Sequence, residues 1–170
     1  MVIRQETIND YDQVYNLIKE SFSTAEHSDG NEQDLVCSLR KNKEAFIPEL
    51  SLVAEKEGEI VGHILFTKMK VGDDTVLALA PLAVMPQYQS QGIGAALILE
   101  GHRIAKELGY AYSVVLGSET YYPKFGYLPA EDFNITVLDG VPSQNFMAIK
   151  LLPNAKLIGG KVKYAKEFGI

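Results

Sequence analysis

Between Thr75 and Leu116 the chain passes through an apolar stretch (Thr75 to Val84), a polar turn with two glycines, a helical stripe and a second apolar stretch. That order constrains the fold more than any other feature. A strand, a helix and a strand joined so closely form a crossover unit, whose two strands run parallel in one sheet. The spacing predicts the helix from Gly94 to Leu108, with Leu97, Gly101, Ile104, Ala105 and Leu108 on one stripe and Gly109 as its stop. Gly101 on that stripe predicts a close approach of helix to sheet.

The turn itself reads Val84-Met85-Pro86-Gln87-Tyr88-Gln89-Ser90-Gln91-Gly92-Ile93-Gly94-Ala95. It leaves backbone N–H groups unpaired at the positive end of a helix dipole, an arrangement that suits an anion such as phosphate. Gly92 and Gly94 carry no Cβ, so a ligand can lie against the main chain. Upstream, Pro81 interrupts the strand. A proline cannot donate to a ladder, so a central strand must bulge or splay there, freeing backbone groups at Leu82, Ala83 and Val84. An edge strand would also tolerate Pro81, but the stretch is apolar on both faces, which argues against an edge.

Around this unit the rest of the chain reads as alternating strands and helices. Val2 to Gln5 is a short strand, and Thr7-x-x-Asp10 a capping box before an amphipathic helix (Tyr11, Val14, Leu17, Ile18, Phe22). Ser23 to Asn31 is a loop, holding Glu26 and His27, and Glu32 to Asn42 a second helix. Leu52 to Glu55 and Ile60 to Val71 form a hairpin whose second strand is apolar on both faces, which predicts a sheet covered on both sides. After Tyr110 to Leu116 come a turn at Gly117-Ser118-Glu119 and a short helix, Thr120 to Phe125. Phe133 to Leu138 alternates weakly, Gln144 to Leu152 is a final long strand, and the tail Gly159-Gly160-Lys161-Val162-Lys163-Tyr164 is polar. Neither repeat nor linker divides residues 1–170, so one domain is expected.

Composition closes several functional classes. A net charge of −6, with 22 acidic against 16 basic residues, argues against nucleic acid or anionic membrane as partner. One cysteine, Cys37, rules out an internal disulfide and a thiolate-rich metal site, and its apolar neighbours predict a buried structural thiol. No apolar run approaches the ~20 residues of a membrane span, and the first residues lack a signal-peptide core, so a cytoplasmic location is expected.

The two glycines could belong to several nucleotide turns. A phosphate loop would need a lysine soon after Gly94, and a dinucleotide fold an acid at the end of the next strand; neither is present. What fits is Gln89-x-x-Gly92-x-Gly94 followed some thirty residues later by Tyr122-Pro-Lys-Phe-Gly126-Tyr127. This ordered pair resembles the GNAT superfamily of acetyl-CoA-dependent N-acetyltransferases, whose signatures read Gln/Arg-x-x-Gly-x-Gly/Ala and Tyr-x-Lys/Arg-x-Gly-Phe/Tyr. The Tyr121-Tyr122-Pro123 detail and the Gly-Gly-Lys-Val-x-Tyr tail look most like the bacterial YhbS-like subgroup.

The resemblance, which runs from Val2 to about Leu151, implies a mixed α/β fold: about seven strands in a twisted sheet, helices on both faces, and a splayed central strand. It implies that Gln89, Ser90, Gln91, Gly92, Ile93, Gly94 and Ala95 hold the pyrophosphate of coenzyme A. Leu82, Ala83 and Val84 would pair with the pantetheine arm, and the N–H of Ala83 or Val84 would polarise the thioester carbonyl. Ser118 stands where relatives often use Asn to touch the pantetheine. Tyr122 would protonate the departing thiolate. The acceptor would be a primary amine, on a small molecule or a protein, with acetyl-CoA as co-substrate and no metal. For the base that neutralises the amine, His63, Glu26, Glu119 and Glu55 are candidates without a motif, and a held water is another. The apolar final strand and tail could serve a homodimer. A non-catalytic acyl-CoA-binding module with the same fold is the alternative.

Overall fold

The computed structural model describes residues 1–23 and 28–170. Its strands are β1 (Val2–Gln5), β2 (Phe46–Lys56), β3 (Glu59–Val71), β4 (Asp74–Val84), β5 (Tyr112–Leu116), β6 (Leu128–Pro129), β7 (Ile135–Thr136), β8 (Phe146–Lys150) and β9 (Gly160–Lys163), and its helices α1 (Tyr11–Phe22), α2 (Glu32–Arg40) and α3 (Ile93–Glu107). The sheet runs β1-β2-β3-β4-β5-β8-β6. Along this path the pairs are antiparallel except β4 with β5, which are joined by α3 as the crossover requires; off it, β9 pairs with β3 antiparallel and with β7 in parallel.

Both faces are covered, as the apolar runs of β3 and β4 demand. On one face Ile93, Leu97, Ile98 and Ala105 of α3 pack on Leu52, Ile64, Phe66, Leu77 and Leu79. On the other, Val14, Leu17 and Ile18 of α1 and Val36 and Leu39 of α2 cover Val53, Leu65 and Ala83. Further along, Val76, Ala78, Val114 and Ala148 are covered by Ala130, Ile135 and Ile158 from the last third of the chain. Gly101 sits directly on the Phe66 ring, where an added Cβ would lie 2.3 Å from Cε2. The close approach expected at this glycine is present.

The last third departs from its sequence pattern. Residues Phe133 to Leu138 supply only the two-residue β7, after a 3-10 turn at Ala130–Phe133. β8 is five residues long and is not the final strand. The polar tail forms β9, which pairs with β7 and with the end of β3 through Lys70↔Lys163 and Val71↔Val162. β9 has no apolar alternation to announce it, because a strand end supplies its partners. Cys37 is half-buried on α2 rather than buried.

A polar bolt joins the face covered by α1 and α2. Arg40 donates Nε to Glu6 Oε2 (3.0 Å) and Nη2 to Glu6 Oε1 (2.8 Å), and its guanidinium lies 3.9 Å over the Tyr11 ring. Ser51 Oγ donates to Glu6 Oε2 (2.6 Å) and lies 3.1 Å from His63 Nε2. His63 is completely buried, and burial, with Arg40 adding to it against Glu6, lowers its pKa to about 4.

Candidate active site

The splay of β4 makes the site. On its β3 side, Ile64 faces Leu82 and Phe66 faces Leu79, so Leu65 alone stands opposite Ala80 and Pro81. This is a bulge at the proline, whose peptide bond with Ala80 is cis. On its β5 side, pairing is confined to Leu77↔Ser113 and Ala78↔Val114. Beyond Pro81 the two parallel strands part.

Met85 N–H donates to the Val61 carbonyl at 2.9 Å. Backbone groups alternate along an antiparallel ladder, so Ala83 turns its N–H and C=O to His63 of β3, while those of Leu82 and Val84 face the opening. Gln89 Nε2 donates to the Val84 carbonyl at 3.1 Å and ties the turn to the strand. The Leu82 N–H and carbonyl and the Val84 N–H remain directed at the cleft.

The turn then tightens. A 3-10 segment, Pro86–Tyr88, leads to Ser90 (φ 61°) and Gly92 (φ 87°), which caps α3 in the left-handed region. No side chain caps this helix and no acid stands in its first turn. Ala96 N–H takes the Gly92 carbonyl at 3.0 Å, so the N–H groups of Ile93, Gly94 and Ala95 are the unpaired ones. A Cβ on Gly92 would meet no heavy atom of the described residues within 4 Å.

Together these groups line a cleft of about 530 Å³, a size suited to a small ligand. It gathers Leu82, Val84, Gln89, Ser90, Gly92, Ile93, Gly94 and Ala95 of the residues singled out in the sequence. Tyr121, Lys124 and Phe125 from the segment after β5 also line it, as does Ser21 of α1. Lys124 is the one charged side chain among the described lining residues.

Other expected residues sit differently. Gln91 turns its amide to the Gln87 carbonyl (3.4 Å). Ser118 is exposed, and its Oγ accepts the N–H groups of Thr120 and Tyr121, both at 3.2 Å, so it shapes the turn after β5. The Tyr122 ring lies over Gly117, where a Cβ would be 2.5 Å from Cε2, and meets Tyr127 edge-on at 5.7 Å. Burial pushes its hydroxyl well above the usual phenol range, with Tyr121 adding to the shift, so it is protonated at neutral pH. Tyr127 is itself fully buried, its Oη 3.0 Å from His102 Nε2 of α3 and 2.9 Å from Ser113 Oγ of β5. This holds the second signature to helix and sheet at once.

Tyr121, to which the sequence pattern assigns no role in the site, lines the cleft. Its Oη reaches the helix start, 2.6 Å from where a Gly94 Cβ would be. The one available signal is its place beside Tyr122. Among the base candidates, His63 is sealed in the core, Glu55 is held by Arg4 (2.9 Å) and Glu119 by Asn145 Nδ2 (2.7 Å). Glu26 lies outside the described residues, as does His27. No group of metal-ligating side chains occurs among the described residues, and no helix there is long and apolar enough to cross a membrane.

Residues 11–127 match the acetyltransferase (GNAT) family. The uncharacterized N-acetyltransferase YhbS of Escherichia coli (strain K12) is 37% identical over 172 aligned positions, covering 99% of this chain and 98% of that protein. The uncharacterized N-acetyltransferase YjhQ of the same strain is 45% identical over 102 residues, which span 58% of this chain and 56% of YjhQ. The crystal structure of Escherichia coli YhbS in complex with CoA superimposes with a TM-score of 0.87, at 29% identity over 99% of this chain and 92% of that one. A GNAT family acetyltransferase from Brucella melitensis in complex with acetyl-CoA gives 0.82, at 30% identity over 98% and 97%.

Proposed function

The chain belongs to the acetyltransferase (GNAT) family, and we propose on that footing that it transfers an acetyl group from acetyl-CoA to a primary amine by direct attack. One observation carries the reading: the open backbone edge of β4 and the uncapped start of α3 face a single cleft. An extended chain ending in a pyrophosphate needs those two surfaces side by side. The similarity to YhbS and to the Brucella enzyme, solved with CoA and with acetyl-CoA, supports the same ligand here.

In this reading the N–H groups of Ile93, Gly94 and Ala95 hold the pyrophosphate, helped by the Lys124 ammonium, while Gln89, Ser90, Gln91 and Gly92 shape the turn. Leu82 and Val84 pair with the pantetheine, and Ala83 keeps the strand fastened to β3. The Val84 N–H donates to the thioester oxygen as negative charge develops on it. When bound, the thioester supplies an activated acetyl group and a thiol leaving group. Tyr122 donates its phenolic proton to the departing thiolate. Ser118 fixes the turn that carries both tyrosines.

The amine must arrive neutral, which costs about 4.6 kcal/mol at pH 7 for a lysine-like group. No carboxylate or imidazole is among the described residues lining the cleft, and a water held there is the base in this reading, with Glu26 outside the described residues as the other candidate. The experiment is a thiol-release assay with acetyl-CoA and a panel of amines, run on the native chain and on Tyr122→Phe. We expect turnover by the native chain and a fall in kcat of about a hundredfold in the variant, with acetyl-CoA affinity unchanged. Acetyl-CoA binding without turnover on any amine would favour a non-catalytic acyl-CoA-binding module instead; an unchanged kcat would remove Tyr122 from the chemistry.

A further inference from the structure

A second concavity, of about 1010 Å³, lies at the other end of β4. Thr75 lines it and Val84 lines the cleft, nine residues apart along one strand, or about 30 Å. The gap arises from topology. β2 begins opposite Thr67 and β9 ends opposite Lys70, so two strands abut end to end along one edge of β3. The connection from α2 to β2 forms the facing wall.

Its lining is cationic in an acidic chain. Lys41, Lys43, Lys68, Lys70, Lys163 and Lys166 all line it, against Glu44 and Glu167. None of the six lysines takes part in an ion pair among the described residues. Glu167 is occupied, accepting Asn42 Nδ2 at 2.9 Å. Lys70 and Lys163 are direct cross-strand partners, and Lys68 follows on the same face of β3. Like charges placed opposite each other weaken a strand pair. Yet among the described residues β9 has no other antiparallel partner, and the Lys70 ammonium donates to the neutral Thr75 hydroxyl, at 2.6 Å. The sheet thus keeps a repulsive contact that a bound anion would turn into an attractive one.

We propose that this lysine groove is a binding site for an oligophosphate anion, separate from the cleft at α3. The chemistry selects that class. Ammonium groups act on phosphate as point charges, whereas planar carboxylates are matched best by arginine forks, and no arginine is among the described residues lining the groove. The lysines come from several separate segments, so one ligand must carry several charges to engage them, and a lone phosphate is too small for the space. An acidic peptide would want exposed aromatic or aliphatic anchors; the lining aromatic, Tyr164, is spent on Phe168, with ring centroids 5.0 Å apart.

The test is titration calorimetry of inorganic triphosphate into the full chain saturated with CoA, at about 0.1 M salt. We expect one site, weakened at least about tenfold in Lys70→Gln/Lys163→Gln, while CoA affinity in the same variant stays unchanged. Without triphosphate the double variant should melt no lower than the native chain, since it removes a repulsion. Absence of triphosphate binding, or equal binding by the double variant, overturns the proposal. Tighter lysine-dependent binding of a single-stranded RNA or of polyglutamate would overturn it too, by giving the groove to a macromolecule.

Discussion

Replacing Gly101 by alanine sets two rules against each other, and a distance decides between them. Glycine inside a helix is worse than alanine by about 1 kcal/mol, so propensity alone makes Gly101→Ala stabilising. In the fold, however, the new Cβ would lie 2.3 Å from Phe66 Cε2 and 2.8 Å from Cζ. Carbon atoms rest at about 3.5–4.0 Å, so helix or ring must yield by more than about 1 Å. Phe66 is fully buried, with the His102 ring 6.1 Å away, and cannot swing into solvent. Overpacking of this kind costs about 1–3 kcal/mol. The net expectation is a loss of up to about 2 kcal/mol, a fall in Tm of up to about 8 °C for a chain of this size. Calorimetry or urea denaturation measures it. Phe66→Leu in the same chain should relieve the clash, so the double variant should lose less than the two single losses together. A rise in Tm for Gly101→Ala would refute the packing of α3 on β3 described above.

Two further outcomes are expected. His63 and His102 are both held neutral by burial, with pKa lowered to about 4. Their unfolded forms take up protons near pH 6.5 that the folded forms refuse. Stability is therefore full above that pH and falls as the pH drops towards 4, by up to about 1.4 kcal/mol per pH unit for each. Urea midpoints at pH 7, 6 and 5 test this, and a flat profile would sink it; His102→Asn should remove about half the slope. Gly92→Ala adds a Cβ where φ is 87° and none of the described residues stands within 4 Å. It should cost folding about 1–2 kcal/mol through backbone strain alone, yet, if CoA is held as proposed, weaken its binding by more than about tenfold. Calorimetric affinity and Tm measured together separate the two, and an unchanged CoA affinity would show that the phosphates sit elsewhere.

Much of the site was legible in the residues because its requirements are local. A proline that cannot donate, two glycines that open the main chain and a helical stripe behind them are consequences of neighbouring side chains. They located the splay at Pro81 and the anion-receptive turn at Gly92. The direction of each β4 backbone group was not legible. The parity that turns Ala83 inward and Leu82 and Val84 outward depends on register with β3, which the bulge at Ala80–Pro81 resets. Tyr121 and Tyr122 are alike as residues, and only the fold sends one hydroxyl to Gly94 and lays the other ring over Gly117.

By itself, then, the sequence determined the crossover unit, the coverage of both sheet faces and the turn that suits a phosphate. These follow from periodicity and from backbone chemistry within a few residues. Tertiary structure decided what depends on segments far apart in the chain. It docked a polar tail as β9 on the end of β3, drew Lys41, Lys68 and Lys163 into one groove, and enclosed His63 with Glu6 and Arg40. Charge and burial are sums over everything nearby in space, and such sums exist only once the sheet has closed.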